Sequence, residues 1–403
     1  MSCSRQRRNS TELPTLTFFT FFCAVFLSFD GMVEVVDCCR LSKSTSAFQK
    51  RNNPLTGFHS GTVTNKVGTI FERNRYYRSN DVHSSKTLFA AAKEREGFFQ
   101  VSRLLETTDD TAEKRGPETR EYNLHYKIAR PMNLSSRKAA PLVVLHGGPS
   151  VPSDYLYPLA ECVGGPMPYR SVVFFDQLGC GRSDEPTDLR CYSIALALDD
   201  LEVMLKQLNL RKFHLYGQSF GGILAFEYAK RVAERRGSRP SDDANDDNGA
   251  PQCLSVILSS APTDVKMVEQ EADKIVAKLM EEDDDKSTLA ERFRLKCQCR
   301  VDSYPEPLKA AYDRAGTFWR GTAAIPEYVA HPPTENAEKM PSALVIRGEF
   351  DFVSPECVRG WKSTAFNHQF VREKTLSGCS HHGLLENGAA YGEMVDSFCS
   401  EYD

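Results

Sequence analysis

Leu215-Tyr216-Gly217-Gln218-Ser219-Phe220-Gly221-Gly222 sets a serine between two glycines in the pattern G-x-S-x-G, where an apolar run gives way to a helical pattern. A serine on so sharp a strand-to-helix turn presents its hydroxyl for nucleophilic attack. The turn is tight enough that the residues two before and two after must be nearly free of side chain. The bare pattern arises easily by chance, so its weight comes from the strand before it and the helix after it. A serine alone is a weak nucleophile, and it needs a base and an acid that orients the base.

Other segments supply the missing parts. Leu145-His146-Gly147-Gly148-Pro149 closes an earlier apolar run. A glycine-rich turn there can aim a backbone N–H at a developing oxyanion, and the Phe220 N–H, next after the serine, is the second donor. In this arrangement the acid and then the histidine follow the nucleophile along the chain. Gly348-Glu349-Phe350-Asp351 ends another apolar run. Glu349 competes for the role of acid, but Asp351 lies farther into the loop, where a carboxylate can turn toward a base. Ser380-His381-His382-Gly383 offers the base, with His381 preferred and His382 read as a loop histidine. The chemistry expected is acyl transfer through Ser219, His381 and Asp351.

The elements that must position these groups are legible in the hydrophobic pattern. Gly97–Leu105 and Tyr122–Arg130 alternate as an opening antiparallel pair. Pro141–Leu145, Ser171–Asp176, Phe213–Tyr216, Cys253–Ser259 and Ala343–Arg347 are short, nearly continuous apolar runs. Such runs suit strands of a parallel sheet buried on both faces. Ile194–Leu208 and Gly222–Arg235 read as helices between them, and a last strand is expected near Phe370–Leu376. Strands alternating with helices predict an α/β fold with a mostly parallel sheet. Thr263–Met340 breaks the alternation with helical, Pro-interrupted sequence, too long for a plain loop, and is expected to form an inserted helical cap.

Composition narrows the function. The chain has 403 residues, 41% hydrophobic and 26% charged, with a net charge of -4. That is ordinary globular usage, which excludes collagen-like, coiled-coil and wholly disordered chains. A charge so near neutral argues against a dedicated nucleic-acid or polybasic membrane binder. The 13 cysteines are an odd number and contain no CxxC pair, so a complete disulfide framework is impossible and a zinc finger is not expected. Most are read as small buried hydrophobes. The acidic run Glu281–Asp285 is expected to be a wet helix face, and no metal or organic cofactor is called for.

Two stretches are expected to lie outside the fold. Arg5, Arg7 and Arg8 precede an apolar run from Leu16 to Phe29, which is signal-peptide architecture and short for a membrane span. From Phe48 to Arg95 nine basic residues stand against Glu72, Asp81 and Glu94 in a Ser-rich context, the composition of an organelle transit peptide or of a secreted linker. Together they resemble the bipartite leader of algae with complex plastids, with Ser46-Ala47-Phe48 as the junction. Localisation is thus expected along the secretory route, to such a plastid or to a secreted or endomembrane lumen, with no stable membrane association after processing. The Asp-, Asn- and Gly-rich stretch 235–252 is expected to be a solvated surface insertion.

At this point the motifs resemble a family. HGGP, Asp176-Gln177-Leu178-Gly179-Cys180-Gly181-Arg182-Ser183-Asp184, GQSFGG, GEFD and GCSH followed by Glu386 are similar to those of the proline iminopeptidases. These are serine aminopeptidases of the α/β-hydrolase fold. The resemblance implies Ser219 as nucleophile, Asp351 as acid, His381 as base, and Gly148 and Phe220 as oxyanion-hole donors. It also implies Glu327, in Pro326-Glu327-Tyr328, as a cap carboxylate that grips the α-amine of a small peptide or amino-acid amide. Some relatives carry a second glutamate directly after the acid, where this chain has Phe352, which implies looser specificity. The organisation expected is leader 1–47, linker 48–96, first core part 97–262, helical cap 263–340 and second core part 341–403. An esterase or amidase with the same chemistry is the alternative, and a non-catalytic binding protein of the same fold is a further one.

Overall fold

The computed structural model describes residues 94–105, 117–129, 139–163, 169–237, 251–366 and 370–403. The expected leader 1–47, nearly all of the linker 48–96 and most of the insertion 235–252 lie outside these residues. In chain order the strands are β1 (Glu94–Leu105), β2 (Glu118–Ala129), β3 (Leu142–Leu145), β4 (Val172–Phe175), β5 (Lys212–Gln218), β6 (Gln252–Ser259), β7 (Ser342–Gly348) and β8 (Val371–Leu376). The helices are α1 (Leu159–Cys162), α2 (Ile194–Gln207), α3 (Phe220–Gly237), α4 (Val265–Glu282), α5 (Leu289–Phe293), α6 (Glu306–Tyr312), α7 (Pro355–Gly360), α8 (Gly383–Glu386) and α9 (Gly388–Ser400).

The strands form an eight-stranded sheet in the order β1-β2-β4-β3-β5-β6-β7-β8. β1, β2 and β4 pair antiparallel, and every pair from β4 to β8 is parallel. The reason is visible strand by strand. LVVL of β3 and VVFF of β4 are buried throughout, as strands covered on both faces must be, whereas β1 alternates exposed and buried positions. Buried side chains gather in two clusters. One holds Val143, Leu145, Leu215, Phe226 and Leu258, and the other holds Val144, Tyr216, Ile257, Leu344 and Phe398. The alternation of β3, β5, β6 and β7 between them puts the core on both sides of the sheet.

Helix α2 shows how local sequence sets its limits. Ser193 caps it by accepting the Leu196 N–H at 3.1 Å, and the buried stripe Leu198, Leu201, Met204 and Leu205 faces the core. Three boundaries differ from the sequence-based expectation. β1 starts at Glu94, inside the expected linker, because its first residues pair with Ala129 to Lys127 and Lys127 meets Glu94 at 2.9 Å. α3 continues to Gly237, past the expected edge of the insertion, with Arg235 paired to Glu202 at 2.7 Å. β6 takes Gln252, whose N–H donates to the Arg211 carbonyl at 2.7 Å.

The acidic run also departs from expectation in part. α4 ends at Glu282 with Asp283 as its C-cap, and Asp285 lies beyond the helix, where it accepts from the Ser287 N–H at 2.8 Å. Glu281 and Glu282 are an exposed face of the last helical turn, and only Asp283–Asp285 lie beyond the helix. Among the described residues no cluster of His, Cys, Asp or Glu is arranged to hold a metal ion, and no helix is long and apolar enough to cross a membrane. Cys180, Cys191, Cys297, Cys299, Cys357, Cys379 and Cys399 are buried thiols.

Candidate active site

Ser219 sits between the end of β5 and the start of α3 with φ 53°, in the left-handed region that a side chain adopts only at a cost. The glycines around it are there for space. A Cβ on Gly217 would come within 2.0 Å of the Gly221 carbonyl oxygen, and one on Gly221 within 2.1 Å of the Leu145 oxygen. Ser219 N–H donates to the Ser259 carbonyl at 2.8 Å, which ties the turn to β6. As first residue of α3, Phe220 has an N–H with no intrahelical acceptor. Gly148, Ser219, Phe220 and His381 all line one cavity.

The structure brings the expected acid and base together. Asp351, in the loop after β7, holds His381 Nδ1 at 2.9 Å through Oδ1, and the same oxygen accepts the Val353 N–H at 2.9 Å. Both residues are buried. Glu349 does not compete: it is exposed and accepts from Ser377 and the Gly378 N–H at 2.9 and 2.8 Å. The loop carrying His381 is fixed at both sides. Ser380 donates through N–H and hydroxyl to Glu386, while the N–H groups of His381 and His382 donate to the carbonyls of Cys297 and Gln298 at 3.3 and 3.0 Å. Residues 297 and 298 act through backbone oxygens, which no pattern of residue types could have revealed.

Three further side chains shape the site: Phe352, which the sequence already set directly after the acid, and His382 and Glu269, which were not expected there. Phe352 stacks on His381 with ring centroids 4.3 Å apart and planes 30° apart. His382, read from sequence as a loop histidine, is buried, lines the cavity and meets His381 edge-on at 5.3 Å. Burial, reinforced by the charge of His381, pushes its pKa well below the ordinary histidine value. Glu269, half-buried on α4, is the only carboxylate among the described residues lining the cavity.

Glu327 is not brought to the site. Its side chain is 78% exposed and pairs with Lys266 at 2.5 Å on the outer surface, and it is absent from the cavity wall. The reason is the turn of α4, which directs Val265, Val268, Glu269 and Ala272 inward and Lys266 outward at helical spacing. The rest of the wall is mostly apolar, from Val151, Ile223, Ile325 and Val353, with Gln298 and Tyr312 as neutral polar groups.

The block Asp176–Asp184 packs against the glycine turn that follows β3, Gln177 bonding the ring and the carbonyl of His146 at 2.9 and 3.0 Å. Asp176 accepts from the N–H groups of Ser153 and Arg182 at 3.0 and 3.1 Å. Burial works against this carboxylate's charge, but hydrogen bonds from the His125 side chain and the Ser153 N–H hold its pKa well below the usual range. Arg182 spans both oxygens of Asp154 at 3.1 and 3.0 Å, and Arg314 reaches the same carboxylate at 2.6 Å. The 314–319 segment is thereby fastened to this block, with Trp319 stacked on Tyr192 at 5.8 Å and edge-on to Phe220 at 5.3 Å.

A buried sheet, a strained serine elbow and an Asp–His pair at one sheet edge define an α/β hydrolase, and the alpha/beta hydrolase fold family matches residues 140–388. The chain belongs to that family. It is similar to a proline iminopeptidase of Saccharolobus solfataricus, 42% identical over 113 residues, which is 28% of this chain and 34% of that protein. The match thus spans about a third of that relative's length. A proline iminopeptidase of Lactobacillus helveticus is 26% identical over 304 residues, covering 70% of this chain and 96% of the relative. Among solved structures, a proline iminopeptidase of Mycobacterium smegmatis shares the fold with a TM-score of 0.55 at 20% identity, covering 75% of this chain and 98% of that one.

Proposed function

We propose that this chain is a serine aminopeptidase that releases the N-terminal residue, preferably proline, from small peptides or amino-acid amides. The observation that carries the proposal is the opening of Ser219 and of His381, itself held by the buried Asp351, onto one cavity whose described wall holds a single carboxylate, Glu269. Ser219 Oγ attacks the first carbonyl while His381 Nε2 takes its proton, and Asp351 holds Nδ1 and stabilises the imidazolium. The N–H groups of Gly148 and Phe220 receive the oxyanion. His381 returns the proton to the leaving amine, draws another from water as that water attacks the acyl-enzyme, and passes it to Ser219 Oγ as the acyl–oxygen bond breaks and the free acid leaves. No cofactor takes part.

Glu269 replaces Glu327 as the anchor for the substrate's cationic α-amine, since a charge in a half-closed, mostly apolar pocket needs a counter-charge. The segment 263–340 serves as a cap that walls the acyl-binding side. The similarity to proline iminopeptidases over most of the Lactobacillus helveticus protein supports the peptide substrate.

Phe352 favours a second reading. It covers His381 with an apolar ring where some relatives have a second glutamate, which suits neutral acyl groups and makes an esterase or amidase on small non-peptide substrates the alternative. Proline, alanine and leucine arylamides assayed beside short-chain p-nitrophenyl esters, with Ser219→Ala as the blank, decide between them. Turnover of prolyl arylamide above the blank supports the aminopeptidase. Turnover of esters alone rejects it in favour of the alternative.

A further inference from the structure

We infer that His146, which the cavity does not touch, is the positioning residue of the oxyanion hole: as a single tautomer it holds the Gly147–Gly148 peptide with the Gly148 N–H toward the substrate. The inference rests on the proposed role of Gly148 above.

The tautomer follows from hydrogen bonding. The Gln177 backbone N–H lies 2.9 Å from His146 Nε2, and a backbone amide can only donate. Nε2 therefore carries no proton. In the neutral ring the proton is on Nδ1, which stands 3.0 Å from the Gly147 carbonyl oxygen and donates to it. The ring is fully buried, and burial favours its neutral form.

The consequence follows from peptide planarity. In a trans peptide the N–H of one residue points opposite the C=O of the residue before it. Gly147 O is gripped by His146 Nδ1 and by the Val151 N–H at 3.2 Å. The Gly148 N–H is thereby turned away from the imidazole, and Gly148 is on the cavity wall with Ser219 and Phe220. From the other side, Gly147 N–H donates to the Tyr155 hydroxyl at 2.8 Å, and that hydroxyl donates to Gln218 Oε1 at 2.6 Å, beside the nucleophile. Gly148 has φ 116°, a conformation in which a glycine loop would otherwise swing freely. The held carbonyl removes that freedom in advance of the reaction, which is what an oxyanion donor requires.

The test compares two amides of opposite reach. In His146→Asn the side-chain nitrogen can stand where Nδ1 stood and keep the donor to Gly147. His146→Gln keeps only the partner of Gln177. Each is measured for kcat and KM on the best arylamide or ester and for the Ki of a boronic-acid analogue that forms a tetrahedral adduct on Ser219. His146→Gln is expected to lose about 10- to 100-fold in kcat and the same factor in boronate affinity, with KM within about twofold. His146→Asn is expected to stay within about fivefold. Equal losses in both variants, or a loss in KM alone, overturn the inference. Imidazole 15N shifts of the wild-type chain give a reading that needs no variant to fold: a proton on Nδ1 of His146 supports the inference and one on Nε2 overturns it. A wild-type chain without Ser219-dependent turnover rejects the proposed activity, while the 15N spectrum still decides the tautomer.

Discussion

Asp351 and His381 lie 30 residues apart in the chain and 2.9 Å apart in space, and the carboxylate oxygen that holds the imidazole also accepts the Val353 N–H. The second bond fixes the loop, so the acid's orientation does not depend on the histidine. Asp351→Asn should therefore fold, since an amide oxygen can still take the Val353 N–H. The amide cannot hold the imidazole in the required tautomer, and kcat should fall about 10⁴-fold. Steady-state kinetics with a thermal melt on the same sample checks both halves, and a variant within tenfold of wild type contradicts the assigned role.

Glu269 and Glu327 separate by environment. Glu269→Gln should lower kcat/KM for aminoacyl arylamides about 10- to 100-fold, the scale of a charged hydrogen bond in a partly buried site. Hydrolysis of p-nitrophenyl acetate, which has no amine, should stay within about twofold. Glu327→Gln should leave both within about twofold, because an exposed pair with Lys266 contributes under about 1 kcal/mol. Parallel assays of the two variants measure this directly.

Gly221→Ala and Gly378→Ala test crowding against backbone strain. A methyl on Gly221 would meet the Leu145 oxygen at 2.1 Å, backbone that cannot yield, whereas Gly378 has φ 74° and a methyl there would have nothing within 4 Å. Urea midpoints should show a loss of about 3 kcal/mol or more for the first and about 1 kcal/mol for the second.

Arg103 and Asp200 form a bidentate pair at 2.8 and 2.6 Å, joining β1 to α2 with both side chains 4% exposed. Asp200→Ala strands a buried guanidinium and should cost about 3–5 kcal/mol in urea unfolding, without touching the active site.

Acid should loosen the base of the sheet. Burial, with help from Arg170, lowers the His214 pKa to about 4 although its bond to Asp403 at 3.1 Å opposes the change. A depressed histidine pKa means the unfolded chain binds the proton first. The stability His214 contributes is complete above its unfolded pKa of about 6.5 and is lost as pH falls from there to about 4. His214→Gln can keep a donor to Asp403 but cannot titrate, so its urea midpoint should fall less over that interval. Equal slopes in wild type and variant contradict the assignment.

Much of this was legible because the chemistry constrains residue type at fixed spacing. A strained elbow demands small neighbours, so Gly217, Ser219 and Gly221 announced themselves, and continuous apolar runs marked β3 to β7. Asp351 and His381, which the structure pairs, were picked out by chain order. Glu269 and His382 were hidden because a carboxylate on an amphipathic helix and a second histidine in a loop look alike whether they face solvent or a cavity. Only the phase of α4 decides that Glu269 points in while the chain places Glu327 outside. The carbonyls of Cys297 and Gln298 carry no side-chain signal at all.

The most direct measurement is mass spectrometry of the chain after reaction with a fluorophosphonate. A single adduct on the peptide containing Ser219, absent in Ser219→Ala and formed at least about 100-fold more slowly in His381→Ala, is the predicted result. Unmodified Ser219 under conditions that label other serine hydrolases, or labelling that is indifferent to His381, would contradict the account.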